Sequence, residues 1–309
     1  MRFLILSAFI LNSFVQAQET HMVVEAYSGK VLSASKAGMK RPVASLTKIA
    51  TAIVAVDWAV ATNTDINTKK ISVPAAAGSL GNSSSIGLRV GDTMTLRDAL
   101  YAALLSSDNV AAYSIANHVG ANILLRRGKT GDPVNAFVNE MNNLADAILA
   151  KDTEFTNPHG LNIGSKPGYS TAADVARFSI HAMRRNSITF ITRQESRKIM
   201  VNGETKTLKN LNELAGEIGI LGIKTGATNA AGPCLATCMD RDPLVITKPD
   251  GSKGVTPRRL IVVVLNSPDR FSRTRKLLKD GWSFYDSWIR AGAPVNNPQR
   301  EILSAPEPK

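Results

Sequence analysis

Cysteine is scarce: only Cys234 and Cys238 occur in 309 residues. On one strand, four residues of rise would part them by about 13 Å, beyond the reach of a disulfide. No structural bridge is expected unless that segment is not a strand. Low-complexity tracts and internal repeats are also missing, and the charged fraction is an ordinary 20%. With 44% apolar residues, this excludes a disordered chain and indicates a globular protein with a sizeable core. Beyond the N-terminus no stretch reads as an apolar run of ~18 residues, so the mature chain is expected to be soluble. Basic residues are not interleaved with aromatics as in a nucleic-acid surface, so no nucleic-acid partner is expected.

What is present begins with an address. Arg2 precedes an almost wholly apolar run from Phe3 to Val15, and Val15-Gln16-Ala17 ends in a small residue. The run is short for a membrane span, and its flanks fit an export signal over residues 1–17. A retained N-terminal anchor is the alternative. The formal charge of +12 would draw an exported protein toward anionic wall polymers or lipids, although it serves solubility in any case.

Strands open and close the rest of the chain. Met22 to Tyr27 and Lys30 to Ser35 alternate about a Ser28-Gly29 turn, as in a hairpin. Residues 45–60 are apolar and alanine-rich, which predicts a buried central helix. Thr95 and Asp98 have capping-box spacing before a helix to Leu105, and Thr171 and Asp174 repeat it before a helix to about Arg185. Ile218 to Ile223, Leu235 to Met239 and Arg259 to Leu265 read as strands. Residues 240–257, polar and rich in proline and glycine, read as a long hairpin connection. A helix over about 270–290 closes the domain, and residues 291–309 read as a flexible tail. The order predicts one α+β domain over residues 18–290, with N- and C-terminal strands in a single antiparallel sheet flanked by helices and a helical lobe.

Ser45 and Lys48 are three apart at the start of the expected buried helix, so they share a face. Burial favours a neutral lysine, which can serve as the base for a serine nucleophile. Ser33 and Lys36 have the same spacing, but at the end of an alternating strand they face opposite sides. Ser107-Asp108-Asn109 falls in the break after the second helix. It reads either as a helix cap or as a loop offering a hydroxyl and an amide to a cleft. Lys-Thr-Gly occurs twice. Lys129-Thr130-Gly131 lies in a polar stretch beside Asp132-Pro133 and looks like a solvated turn. Lys224-Thr225-Gly226 follows an apolar strand, where Lys224 and Thr225 can meet a carboxylate and Gly226 admits close backbone approach. The N–H groups of Ser45 and Ala227 would complete an oxyanion hole.

This ordered set resembles the penicillin-binding proteins and serine β-lactamases. The wider match, over about residues 20–290, is to the low-molecular-mass D-alanyl-D-alanine carboxypeptidases. It includes Tyr27-Ser28-Gly29-Lys30-Val31-Leu32, Arg41 through Lys48, Asn157-Pro158-His159-Gly160-Leu161, Tyr169 through Asp174 and Lys224 through Gly232. The resemblance implies that Ser45 attacks the carbonyl between two D-alanines, Lys48 takes its proton, Ser107 relays a proton and Asn109 holds the peptide. Lys224 and Thr225 would bind the terminal carboxylate. Arg270, at the start of the closing helix, would help, although Arg273 and Arg275 allow a merely solvated basic face there. His159 and Asp174 read as structural. Peptidoglycan stem peptides are the implied substrate, β-lactams the implied covalent inhibitors, and no metal or organic cofactor is implied. The implied location is periplasmic or extracellular.

Ala227 stands where many relatives carry histidine, which leaves the backbone N–H but removes the side chain. The chain also shows neither a second β-rich domain nor an amphipathic membrane helix after residue 290, so no stable membrane anchor is expected. Class A β-lactamases need a Glu-x-x-Leu-Asn loop between the second and third motifs, and none occurs. A cross-link endopeptidase and a non-catalytic wall-binding protein are the other readings.

Overall fold

The computed structural model describes residues 18–162, 167–247 and 249–294. The expected signal and the end of the expected tail lie outside the described residues. Along the chain come β1 (Thr20–Glu25), β2 (Val31–Ser35), a 3-10 turn (Ala44–Thr47), α1 (Lys48–Ala61), β3 (Lys70–Ser72), β4 (Thr93–Thr95) and α2 (Leu96–Leu104). There follow α3 (Asn109–Arg126), α4 (Pro133–Ala147), α5 (Ala172–Met183), α6 (Asn186–Thr192), β5 (Ser196–Val201) and β6 (Glu204–Lys209). The chain closes with β7 (Ile220–Gly226), β8 (Cys234–Thr247), β9 (Lys253–Leu265) and α7 (Arg270–Arg290).

The main sheet has the order β2-β1-β9-β8-β7, and every pairing in it is antiparallel. N- and C-terminal strands therefore share one sheet, as the α+β reading expects. The apolar run of β9 shows why the sheet sits between two layers. Leu260, Val262 and Val264 join Leu277, Leu278 and Trp282 of α7 on one face. Ile261, Val263 and Leu265 join the helical lobe on the other. Successive strand residues face opposite sides, so a strand covered on both faces loses its polar alternation.

Helix α1 is the axis of the lobe. Every residue from Lys48 to Ala59 is buried except Asp57. The stretch Ala44–Ala61 is long and apolar enough to cross a membrane by length and composition, yet 78% of it is buried inside the protein. The expectation that only the N-terminus reaches that length is thus corrected. Polar Ser45, Thr47 and Lys48 interrupt the run to the eye but do not outweigh its alanines, valines and isoleucines. Packed neighbours, and not lipid, cover this helix.

Residues 240–257 differ from expectation. The β8 and β9 pairing continues through Leu244–Thr256 to Thr247–Lys253, so only the turn between them is a connection. Pro243 is accommodated at a register shift between Arg241 and Leu244. Beyond Arg241 the ribbon has no further paired strand among the described residues, and proline is tolerated at such edges and bulges. At the far terminus, the Pro294 carbonyl accepts from Trp288 Nε1 at 3.0 Å and Lys30 Nζ at 3.3 Å. Cys234 and Cys238 are both on β8, buried and unbridged, as their spacing predicts.

Candidate active site

The 3-10 turn carries Ser45 at the junction of sheet and lobe. Two glycines let the chain close around it. Gly160 has φ +84°, and a Cβ there would overlap the Ala44 carbonyl. A Cβ on Gly226 would stand 3.0 Å from Ser45 N and 3.2 Å from Leu46 N. Glycine therefore allows the end of β7 to lie against the backbone N–H of Ser45. Ala227 follows at once and is exposed. The Lys-Thr-Gly segment is thus brought to the serine.

Ser45 is on the turn and Lys48 is the first residue of α1, so the two are joined across a helix junction instead of along one regular helix. The side chains still meet: Lys48 Nζ lies 2.9 Å from Ser45 Oγ. The same nitrogen donates to Asn109 Oδ1 at 2.7 Å and to the His159 carbonyl at 2.8 Å. Lys48 is wholly buried, and that burial depresses its pKa to about 7, opposed by the charge of Asp108. Both the Asn109 amide oxygen and the His159 carbonyl can only accept. A neutral amine has two N–H bonds and one lone pair. With both N–H bonds so engaged, the lone pair faces Ser45, whose hydroxyl becomes the donor. The arrangement orients a base toward a nucleophile.

The Ser107-Asp108-Asn109 triplet satisfies both of its readings. Asp108 caps α3, its Oδ1 accepting from Ala111 N at 2.7 Å. Its Oδ2 accepts from Ser84 Oγ at 2.6 Å and Ile86 N at 3.2 Å, tying residues 84–86 to the turn. Asn109 Nδ2 donates to the Ser83 carbonyl at 3.3 Å, which fixes the amide with its oxygen toward Lys48. Ser107 has φ +59°, and its half-buried hydroxyl makes no side-chain hydrogen bond among the described residues.

On β7, Lys224 and Thr225 are buried to 1% and 4% exposure. Lys224 Nζ donates to the Thr225 carbonyl at 2.9 Å. Burial holds the Lys224 pKa well below the ordinary lysine value, and the charges of Lys48 and Arg270 lower it further. The three basic side chains therefore share one neighbourhood, in which an arriving carboxylate would favour the charged form of Lys224. Arg270 donates to the Gly226 carbonyl at 3.0 Å, so it stands at the end of β7. Arg273 and Arg275 instead pair with Glu19 and Glu217, at 2.6 and 2.7 Å.

The competing copies stay apart from this cluster. Lys129 is exposed just after α3, and Ser33 Oγ contacts His21 Nε2 at 3.2 Å on the sheet. His159 is the participant that sequence reasoning missed. Its ring is buried with a pKa depressed to about 3, by desolvation first and Lys48 second, but its carbonyl is what meets Lys48. The segment Asn157 to Gly160 carries the only signal, and backbone roles leave little trace in residue type. Among the described residues no three His, Cys, Asp or Glu side chains gather as metal ligands would.

Comparison with known proteins follows the same lines. The D-alanyl-D-alanine carboxypeptidase family, peptidase S11, matches residues 12–247. A D-alanyl-D-alanine endopeptidase of Pseudomonas aeruginosa is 31% identical over 235 residues, which is 74% of this chain and 69% of that protein. The D-alanyl-D-alanine carboxypeptidase DacD of Escherichia coli is 28% identical, over 82% of this chain and 60% of its own length. The crystal structure of the Streptomyces K15 DD-transpeptidase superposes with TM-score 0.70 at 26% identity, covering 85% of this chain and 96% of the other. An ampicillin-bound penicillin-binding protein D2 of Listeria monocytogenes gives 0.68 at 25% identity, with the same coverage. The fold, the ordered motifs and these matches place the chain in the D-alanyl-D-alanine carboxypeptidase family of serine peptidases.

Proposed function

We propose that this serine D-alanyl-D-alanine carboxypeptidase works through an acyl-enzyme on Ser45. The single observation that carries this reading is the 2.9 Å contact of Ser45 Oγ with a buried Lys48 amine whose other neighbours are acceptors. Ser45 Oγ bonds to the carbonyl carbon between the two D-alanines as its proton passes to Lys48 Nζ. The carbonyl oxygen becomes an oxyanion between the N–H groups of Ser45 and Ala227. Asn109 holds the peptide while its amide oxygen keeps Lys48 in place. Ser107 relays the proton to the departing amine, and the C–N bond breaks. Lys224, Thr225 and Arg270 hold the carboxylate of the leaving D-alanine. Water then adds to the ester and restores Ser45.

The N-terminal run fits export of the protein to the wall compartment. The ampicillin-bound Listeria relative supports capture of β-lactams by the same serine. Cleavage of cross-links is the second reading, favoured by the 31% identity to the Pseudomonas endopeptidase. Incubation with a stem pentapeptide and with a cross-linked dimer, followed by mass analysis of products, separates them. Free D-alanine from the pentapeptide with an intact dimer supports the carboxypeptidase. Monomers from the dimer with an intact pentapeptide overturn it.

A further inference from the structure

A second concave surface lies on the helical lobe, apart from Ser45. It is an open groove of about 560 Å³ whose lining includes Ile66, Tyr101 and Phe190 together with Arg97, Arg193 and Arg197. No acidic residue lines it. Arg97 leans on Asp98 at 3.5 Å, but neither Arg193 nor Arg197 has a carboxylate partner among the described residues. The Arg197 guanidinium lies 5.1 Å from the centre of the Tyr101 ring, and that of Arg193 lies 5.2 Å from the Phe190 ring. Arg197 Nε is buried without a hydrogen-bond partner. A guanidinium held over a ring keeps its charge and terminal N–H groups for a planar carboxylate.

The groove is also coupled to the cleft by position. Arg97 and Tyr101 are on α2, whose end leads directly into Ser106 and Ser107. The helical rise from Arg97 to Leu105 is about 12 Å, so one short helix joins a groove residue to the loop of the cleft. A polymer with many stem peptides has peptides enough to engage both surfaces. A concave surface does not meet a flat bilayer, which argues against a lipid surface as the occupant.

We propose that this groove is an exosite for a carboxylate-bearing stem peptide of the wall polymer, a neighbour of the peptide in the cleft. The inference rests on the reading of the protein as a peptidoglycan peptidase. It explains how a cleft that recognises only a short terminus would gain affinity for the polymer. Two anchors on one chain raise the effective concentration of the second.

The test compares the full protein with Arg193→Gln/Arg197→Gln on two substrates. One is a free pentapeptide, too short to span both sites; the other is polymeric peptidoglycan. The expected result is an increase in KM for the polymer of about 10-fold, the scale of losing two charge-assisted contacts. The kcat and KM for the free pentapeptide should stay within about twofold, which also certifies folding, since surface substitutions are usually mild. A stem tripeptide without D-alanines, titrated into the protein, reads the groove without catalysis. It should bind the unaltered protein, more weakly as salt rises, and not the variant. Equal losses on both substrates, or unchanged polymer KM, would overturn the exosite. So would variant-sensitive binding of phosphatidylglycerol vesicles with polymer KM unchanged. Failure of the unaltered protein to process the pentapeptide while the tripeptide still binds the groove would instead count against the catalytic reading alone.

Discussion

Asn109 Oδ1 lies 2.7 Å from Lys48 Nζ, with the amide held in that orientation by its second bond to the Ser83 carbonyl. Whatever part Asn109 takes in the proposed hold on the peptide, this contact takes one N–H of the amine and leaves the lone pair for Ser45. Asn109→Asp would set a negative charge against Lys48 and favour its protonated form. The acylation pH profile, which should rise as Lys48 loses its proton near pH 7, would then move upward by about one unit or more. At neutral pH acylation should fall about tenfold. An unshifted profile would mean that Lys48 is not the base.

Asp108 makes the opposite test. Its charge raises the Lys48 pKa against burial. Asp108→Asn removes that charge while keeping an oxygen for Ala111 N. The rising limb of acylation should therefore shift to lower pH, with the variant relatively more active in acid. A shift to higher pH would show that the Asp108 carboxylate does not favour the protonated form of Lys48.

The two Lys-Thr-Gly copies give a matched pair of substitutions. Lys224 is buried beside Lys48 and Arg270, whereas Lys129 is exposed beyond α3. Lys224→Ala should reduce acylation by about 10²-fold or more, the scale of a lost electrostatic contact in a site. Lys129→Ala should alter activity and stability by less than ~0.5 kcal/mol. Equal effects in rapid acylation measurements would refute the assignment of the third motif.

Much of this architecture was legible because few arrangements suit the residue patterns. The alanine-rich run with Lys48 inside it demanded burial, and Thr95 and Thr171 cap α2 and α5 as their spacing predicts. Other elements were hidden by ambiguous punctuation. Asp132-Pro133 looked like a solvated turn, yet Asp132 caps α4 and Pro133 occupies its first turn, where a missing N–H costs nothing. Asn202 and Gly203, both at positive φ, turn the β5–β6 hairpin that went unread. The polar ribbon beyond Arg241 reads as a connection because prolines and glycines punctuate it, and its Val245, Ile246 and Val255 stay exposed, so no buried face marks it as a strand pair. In the site, side-chain roles left motifs. The His159 carbonyl did not, since any residue could supply it.

Penicillin release should be slow. No Glu-x-x-Leu-Asn lies between Asn109 and Lys224 to activate a deacylating water. Lys48 and Ser107 must then serve both halves of the reaction. D-alanine departs from the natural ester and makes room for water, whereas the leaving group of a β-lactam stays tethered. In stopped-flow acylation followed by a chase, the adduct should persist for minutes or longer. Sub-second release would reveal a general base elsewhere and favour a β-lactamase.

The most direct measurement is the site of covalent capture. A labelled penicillin should mark the intact protein once, and peptide mass spectrometry should place the adduct on Ser45, with Ser45→Ala leaving the protein unlabelled. Modification at Ser33 or Ser107, or no adduct at millimolar drug, would contradict Ser45 as the nucleophile.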